Sequence, residues 1–395
     1  MKNVQIWGGD GYLGWPTAMY LSKRGYDVTV IDNYLRRNLC SEIGTPILYD
    51  VPDLVERAKI WHETTGLSIK VVLADLSDIP QARSLFNGAI SYNYNPENDS
   101  FKKPDTVVHY AEQPSAPYSL SSHEAASKTL INNLAVTNNL MFAVKEFSPS
   151  THIIKLGTMG EYGTPNIDIE EGWLDVCHKG REQKFLFPRQ GGSIYHTTKV
   201  MDTDLLWFGV RIWNLKVTDL MQGPVYGIET AESNLDSRLK TIFNYDEVFG
   251  TVVNRFATQA VIGYPLTVYG KGGQTRGYLN INDTLQCIEK SVKTPAEPGE
   301  LRIFNQIMET FSVNEIAEIV KKAGDELGLN VEIKSIDNPR KEAENHYYNP
   351  TYQGLQDLGV KPHYLTHDVM LKLLSDLIQY RENIRPDIIY KGVKW

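Results

Sequence analysis

Cysteine is scarce, with only Cys40, Cys177 and Cys287 among 395 residues. Three scattered thiols cannot build a disulfide framework or a structural zinc module, which predicts a reducing compartment. Long apolar runs are missing as well. The first run, Val4 to Trp7, stops at glycines well short of a secretory core, and none reaches the ~18 apolar residues of a spanning helix. The expectation is a soluble, cytoplasmic, unprocessed protein with no membrane insertion. Positive charge is in deficit: 40 Lys plus Arg against 48 Asp plus Glu leave −8. No stripe able to neutralise a nucleic-acid backbone is expected, so nucleic acid drops out as a partner. Internal repeats and low-complexity tracts are also lacking. What is present, 42% hydrophobic residues over this length, suffices for the cores of two or three folding units.

The apolar run Asn3–Trp7 leads into a glycine cluster, a helical stretch Trp15–Lys23 and a second apolar run, Val28–Ile31. Further strand-like runs at Lys70–Ala74, Thr106–Tyr110, His152–Leu156 and Lys216–Leu220 are separated by helix-length segments. Strands alternating with helices predict an α/β protein with a Rossmann-like, doubly wound parallel sheet. Asn33–Pro52 and Asn87–Pro104 are too polar for core and read as surface loops. Past Asn234 the spacing becomes irregular, and Ser312 with Glu315 offers a capping box before an amphipathic run to Leu327. The predicted division is a cofactor-binding unit over 1–230 and a smaller, partly helical substrate-binding region over 231–395. Sheet pieces such as Leu266–Tyr269 interleave between the two.

Gly8, Gly11 and Gly14, with Tyr12 and Leu13 between them, lie between a predicted strand and a predicted helix. There a backbone bare of side chains can approach a pyrophosphate at a helix amino terminus, although glycines also shape ordinary loops. Context favours the cofactor. Asp32 ends the second strand, where a carboxylate accepts from both ribose hydroxyls and repels a 2′-phosphate, so NAD is preferred over NADP. Asn33, Arg36 and Arg37 follow, and the two arginines are the residues that could hold a phosphate instead. Asp75, beside Leu76 after the third strand, either accepts from the adenine amino group or caps a helix.

Tyr195 and Lys199 stand four apart on a predicted helix and share one face. The Lys199 ammonium, near the cofactor's positive nicotinamide, would depress the tyrosine pKa toward working pH, so the pair reads as a general base for a sugar hydroxyl. Thr158, just past the fifth strand, is placed to hydrogen-bond the same hydroxyl, or is simply a turn residue. His363 and His367 share helical spacing, but Pro362 and Thr366 put a loop and a helix start between them, and no metal site is predicted.

The order of glycine turn, Thr158, Tyr195 and Lys199 resembles the extended short-chain dehydrogenase/reductases of nucleotide sugars. The segments Lys155–Glu170, Tyr269–Tyr278 and Asn338–Asn349 are similar to the UDP-sulfoquinovose synthases within that family, and the similarity runs to Trp395. The resemblance implies UDP-glucose and sulfite as substrates, bound NAD as cofactor and a homo-oligomer, dimer or tetramer. It implies oxidation at C4, loss of water across C5 and C6, sulfite addition at C6 and reduction at C4. His196 and Glu161 are the groups it points to for proton movement at C5 and C6. Gln222, Gln274, Arg276, Arg340 and Glu342 are those it points to for the nucleotide sugar. Each arginine taken singly is equally a surface ion-pair partner, and His196 taken singly is a structural helix histidine. Related 4,6-dehydratases carry an aspartate and a glutamate after the threonine. Met159 and Gly160 stand there instead, which argues against a plain dehydratase and predicts that position 159 is kept uncharged for an anionic nucleophile. The family pattern Glu-Gln-Arg-Ser reads Glu112-Gln113-Pro114-Ser115 here, so the arginine's role must pass elsewhere. The competing readings are a UDP-glucose 4-epimerase or 4,6-dehydratase, and a non-catalytic NAD-binding sensor or scaffold.

Overall fold

Seven short segments rich in Val, Ile and Leu pair into one sheet: β1 (Asn3–Trp7), β2 (Asp27–Asp32), β3 (Ile69–Leu73), β4 (Thr106–His109), β5 (His152–Thr158), β6 (Lys216–Gln222) and β7 (Leu301–Gln306). In the computed structural model, which describes residues 2–339 and 346–390, their order is β3, β2, β1, β4, β5, β6, β7, with every neighbouring pair parallel. Helices cover both faces of such a sheet, so both side-chain sets of each strand are buried and the period of two divides them between two cores. Val4, Ile6, Val28, Val30, Val108 and Ile154 meet Trp15, Met19 and Leu285 on one face. Trp7, Ile31, Val107 and Ile153 meet Phe86, Leu140 and Leu206 on the other. The strand order reverses between β1 and β4, which leaves a crevice beyond their carboxyl ends. The doubly wound architecture expected from the strand and helix spacing is the one present.

The carboxy-terminal half departs from that reading in one respect. Leu266–Tyr269 does not join the main sheet but pairs in parallel with Ile333–Ile336, while β7, also from this half, completes the main sheet against β6. A third buried cluster gathers Val253, Phe256, Ile316, Val320, Met370 and Leu374 from the helices Val252–Val261, Val313–Glu326 and His367–Ile378. The second of these starts at the Ser312–Glu315 capping box that the sequence offers. Within Asn33–Pro52 the chain forms a helix, Leu35–Glu42, that buries only Leu39 and Cys40. His363 and His367 are held apart by different carboxylates, Asp283 and Glu326.

Candidate active site

At the end of β1 the chain turns through Gly8 at φ +92°, and a Cβ there would stand 2.7 Å from the Tyr110 carbonyl carbon. A Cβ on Gly14 would overlap the Gly8 carbonyl oxygen. Both glycines are therefore demanded by backbone packing. Gly11 is different: its Cβ would meet nothing nearer than that oxygen, at 3.4 Å, and Gly11 lines the cavity. The helix Gly14–Lys23 begins beside it, with Leu13 at the cap position and no side chain on its leading N–H groups. An uncapped helix amino terminus over a bare glycine is an anion site.

Asp32 lines the same cavity and accepts from the N–H groups of Asp10 (2.8 Å) and Tyr34 (2.7 Å). Burial, and then the nearby Asp10 carboxylate, push its pKa up to about 6. Tyr12, Leu13, Asn33, Arg36, Asp75 and Leu76 also line the cavity. The Asp75 carboxylate accepts from Ser77 N–H and Oγ, while Asp78 caps the following helix, so Asp75 is not that cap. Arg36 forks onto Asn244 Oδ1 and lies over the Phe249 ring. Arg37 is bound through Nε (2.7 Å) and Nη2 (2.8 Å) to Asp10, which also takes the buried Arg57. That guanidinium is committed to the glycine turn and is not available to a phosphate. A bare glycine, an uncapped helix end and a carboxylate at the end of β2 together fit a dinucleotide.

The cavity, about 320 Å³, runs on to Glu112, Pro114, Thr158, Tyr195 and Gln222. Tyr195 and Lys199 lie in the first turns of the helix Ile194–Trp213, which Ser193 caps. Lys199 Nζ donates to the Leu156 carbonyl at 2.5 Å, sits 2.8 Å from Glu112 Oε1 and lies 5.9 Å from the Tyr195 ring centre. Burial, and next the Glu112 carboxylate, raise the Tyr195 pKa, and the Lys199 ammonium that the sequence sets on its face lies against Glu112. Thr158 ends β5 in the cavity wall, its Oγ1 accepting from Gly160 N–H at 3.1 Å. It is thus both turn residue and wall residue, and its hydroxyl proton remains to be donated.

Glu161 is brought near but not in. It is fully buried and takes Lys155 (2.9 Å), Arg189 (2.6 Å), Thr203 (3.2 Å) and the Thr158 N–H (3.1 Å). With both oxygens engaged behind the wall, it is placed to hold the Thr158 turn, not to reach a sugar. For Met159 the reading from the sequence is corrected. The residue is 5% exposed, belongs to the core with Tyr162, Phe187 and Leu206, and does not line the cavity. Gly160 does matter to the site, because a Cβ there would overlap the His196 imidazole. That ring packs 5.2 Å from Tyr195, with Nδ1 3.1 Å from Ser193 Oγ.

Behind Tyr195 the carboxylates of Glu112, Glu161, Asp202 and Asp219 share the buried cations Lys155, Arg189 and Lys199. Asp202 is pushed well above the usual carboxylate range, first by burial and then by Glu112. Glu112 was not among the site residues read from the sequence. The available signal was an acidic residue three positions past the end of β4, at the switch point.

Gln222 lines the cavity and donates to Gln306 Oε1 at 3.0 Å. Gln274, 3% exposed, donates to the Tyr269 carbonyl at 3.3 Å, and Arg276 contacts Thr275 O and His346 Nε2, each at 2.8 Å. These two lie at the strand Thr275–Asn280, outside the wall of this cavity. Arg340 and Glu342 lie outside the described residues. Among the described wall residues the only guanidinium is that of Arg36.

Residues 4–305 match the model of the NAD dependent epimerase/dehydratase family. The UDP-sulfoquinovose synthase, chloroplastic, of Spinacia oleracea is 46% identical over 394 residues, covering 100% of this chain and 79% of that protein. The UDP-sulfoquinovose synthase of Sulfolobus acidocaldarius is 43% identical over 396 residues, covering 99% and 97%. In fold, the chain is similar to the UDP-glucose 4-epimerase of Thermotoga maritima solved with UDP-glucose, at a TM-score of 0.68 and 17% identity over 95% of this chain and 99% of that one. It is also similar to the Bifidobacterium longum UDP-glucose 4-epimerase solved with NAD+ and UDP, at a TM-score of 0.67 and 20% identity over 96% and 98%. No described helix is long and apolar enough to cross a membrane. With identity of this order over the whole chain added to a glycine turn, Thr158 and Tyr195 around one cavity, the chain belongs to the NAD-dependent epimerase/dehydratase family and, within it, to the UDP-sulfoquinovose synthases.

Proposed function

We propose that this chain converts UDP-glucose and sulfite into UDP-6-sulfoquinovose and water, with NAD bound throughout. The observation that carries the reading is the convergence of Thr158, Tyr195 and Gln222 on the cavity that the glycine turn opens. Gly11, Asp32 and the amino end of the helix Gly14–Lys23 would hold NAD, which would supply the reversible two-electron oxidation of C4. Tyr195 takes the C4 hydroxyl proton while Thr158 donates to the same oxygen. The C4 ketone acidifies C5, whose proton leaves together with the C6 hydroxyl as water. The sulfite lone pair then forms the C6–S bond, and C5 regains a proton. His196 moves the protons at C5 and C6, and Tyr195 returns its proton as C4 is reduced. Glu161 positions the Thr158 turn from behind. Gln274 and Arg276 hold the nucleotide half, with Arg340 and Glu342 assigned alongside them by resemblance. The Arg37–Asp10 fork and Asp32 favour NAD over NADP. A sensor or scaffold has no use for Tyr195 and Lys199.

A homodimer completes this reading. Ile131 and Phe142 on the helix His123–Phe147, and Met201, Phe208 and Ile212 on the adjoining helix Ile194–Trp213, are exposed. Such a two-helix apolar face is what a second copy would cover.

Mass spectrometry of the protein incubated with UDP-glucose, with and without sulfite, tests the activity. The expected product carries sulfonate at C6 and forms only with sulfite. A 4-epimer or a 4-keto-6-deoxy sugar accumulating without sulfite would favour the alternative enzymes. Tyr195→Phe should lose at least ~10²-fold in the rate at which UDP-glucose reduces bound NAD.

A further inference from the structure

We propose that Glu112 is a positioning residue for the Tyr195–Lys199 pair: its buried carboxylate, 2.8 Å from the Lys199 ammonium, holds that ammonium on the end of β5 and offsets its action on Tyr195. The inference rests on the reading of Tyr195 as the base and goes beyond it in naming the group that restrains it.

The geometry begins at β4. His109 is fully buried and ends β4, and Glu112, three residues on, lines the cavity. The Glu112 side chain is 2% exposed and that of Lys199 3%. At such depth a carboxylate and an ammonium stabilise each other only as a pair, and either one alone would carry a large desolvation cost. His109 Nε2 lies 3.4 Å from Glu112 Oε1 and 3.0 Å from Thr137 Oγ1. Burial lowers the His109 pKa to about 4, so the ring is neutral and supplies no second cation. Lys199 is thus the partner of Glu112.

Tyr195 feels the consequence. The charged or titratable groups set against it are Glu112 after β4, Lys155 on β5, Glu161 in the turn beyond it, Lys199 and Asp202 on its own helix, His196 beside it and Arg36 from across the cavity. Lys155 is itself bound to Glu161 and Asp219, and Arg36 is held at Asn244. With Lys199 matched to Glu112, no ammonium among the described residues stands unpaired beside the phenol, and burial is the largest influence on its pKa. Removing the Glu112 charge releases Lys199 to act on Tyr195 and removes a like charge at the same time. Both changes make the phenol more acidic.

The experiment follows Tyr195 directly in the purified holoenzyme labelled with [13Cζ]tyrosine, its resonance assigned through Tyr195→Phe, alongside the pH profile of cofactor reduction by UDP-glucose. In Glu112→Gln the Tyr195 resonance should titrate about one pH unit or more lower than in the parent, and the rate should reach its plateau at correspondingly lower pH. Glu112→Asp, which keeps the charge, should stay near the parent. Identical titration of Tyr195 in parent and Glu112→Gln overturns the proposal even if the rate falls. If the lone buried ammonium prevents Glu112→Gln from folding, the neutralised pair Glu112→Gln/Lys199→Met is compared with Lys199→Met. Lower titration in the double variant supports the carboxylate's action on Tyr195, and equal titration refutes it. Failure of the sulfosugar assay with a normal Tyr195 titration shift would count against the proposed reaction and leave the role of Glu112 standing.

Discussion

Single positions separate contacts that matter from residue types that merely fit. Asp32 is the clearest. Its pKa lies at about 6 rather than at the ordinary carboxylate value because it is buried beside Asp10. Only the ionised form accepts from two ribose hydroxyls, so NAD should be held evenly above neutrality and released faster as pH falls through about 6. The rate of NAD loss on dialysis measures this, and Asp32→Asn should lose NAD faster with little dependence on pH. Met159 shows the opposite lesson. Read along the chain, it stands where dehydratases keep an acid, and Met159→Asp would be expected to repel sulfite and leak a 4-keto-6-deoxy product. Its burial among Tyr162, Phe187 and Leu206 changes the expected outcome to unfolding. A carboxylate there should cost at least about 2 kcal/mol in urea denaturation. The loss should shrink in acid: burial raises the folded pKa, so stability is regained as pH falls through it. A Met159→Asp variant as stable as the parent would contradict this packing.

At the scale of elements, the turn from β1 into the helix Gly14–Lys23 carries two different demands for glycine. A Cβ at Gly14 would overlap backbone, whereas a Cβ at Gly11, which lines the cavity, would meet nothing nearer than the Gly8 oxygen at 3.4 Å. Gly14→Ala should therefore lower both the thermal midpoint and the NAD content. Gly11→Ala should fold to within about 1 kcal/mol of the parent yet purify with little NAD, because only the approach of a pyrophosphate is blocked. Equal NAD content in the Gly11 variant and the parent would remove the turn from the cofactor site. The helix Ile194–Trp213 makes a similar point for catalysis. Its 3.6-residue period puts Tyr195 and Lys199 on one face, so their shared position could be read locally. The same period sends Met201, Phe208 and Ile212 to the outside, where they form a stripe no described residue covers.

For the whole molecule, that stripe and its neighbour on the helix His123–Phe147 bear on assembly. If a second copy covers them, Ile131→Glu with Ile212→Glu should convert a dimer into a monomer in light scattering while leaving the far-ultraviolet circular dichroism unchanged. A parent that is itself monomeric at assay concentration would end that reading. The two cores of the main sheet and the third core of the carboxy-terminal helices keep such a variant folded, since neither substitution touches them.

The sequence by itself determined what rests on short separations. The period-two strands, the helices between them, the glycine turn, the carboxylate ending β2, the Ser312–Glu315 cap and the Tyr195–Lys199 spacing are all fixed by torsional preference and side-chain periodicity within a few residues. Tertiary structure alone decided what depends on distant segments meeting. It drew β7 from beyond residue 300 into the main sheet and left Leu266–Tyr269 out of it. It turned Met159 into the core, drew Glu161 behind the wall onto Lys155 and Arg189, and set Glu112 against Lys199. Burial and ion pairing at such a site are properties of packing between elements, and packing sets both the direction a side chain faces and the charge it meets.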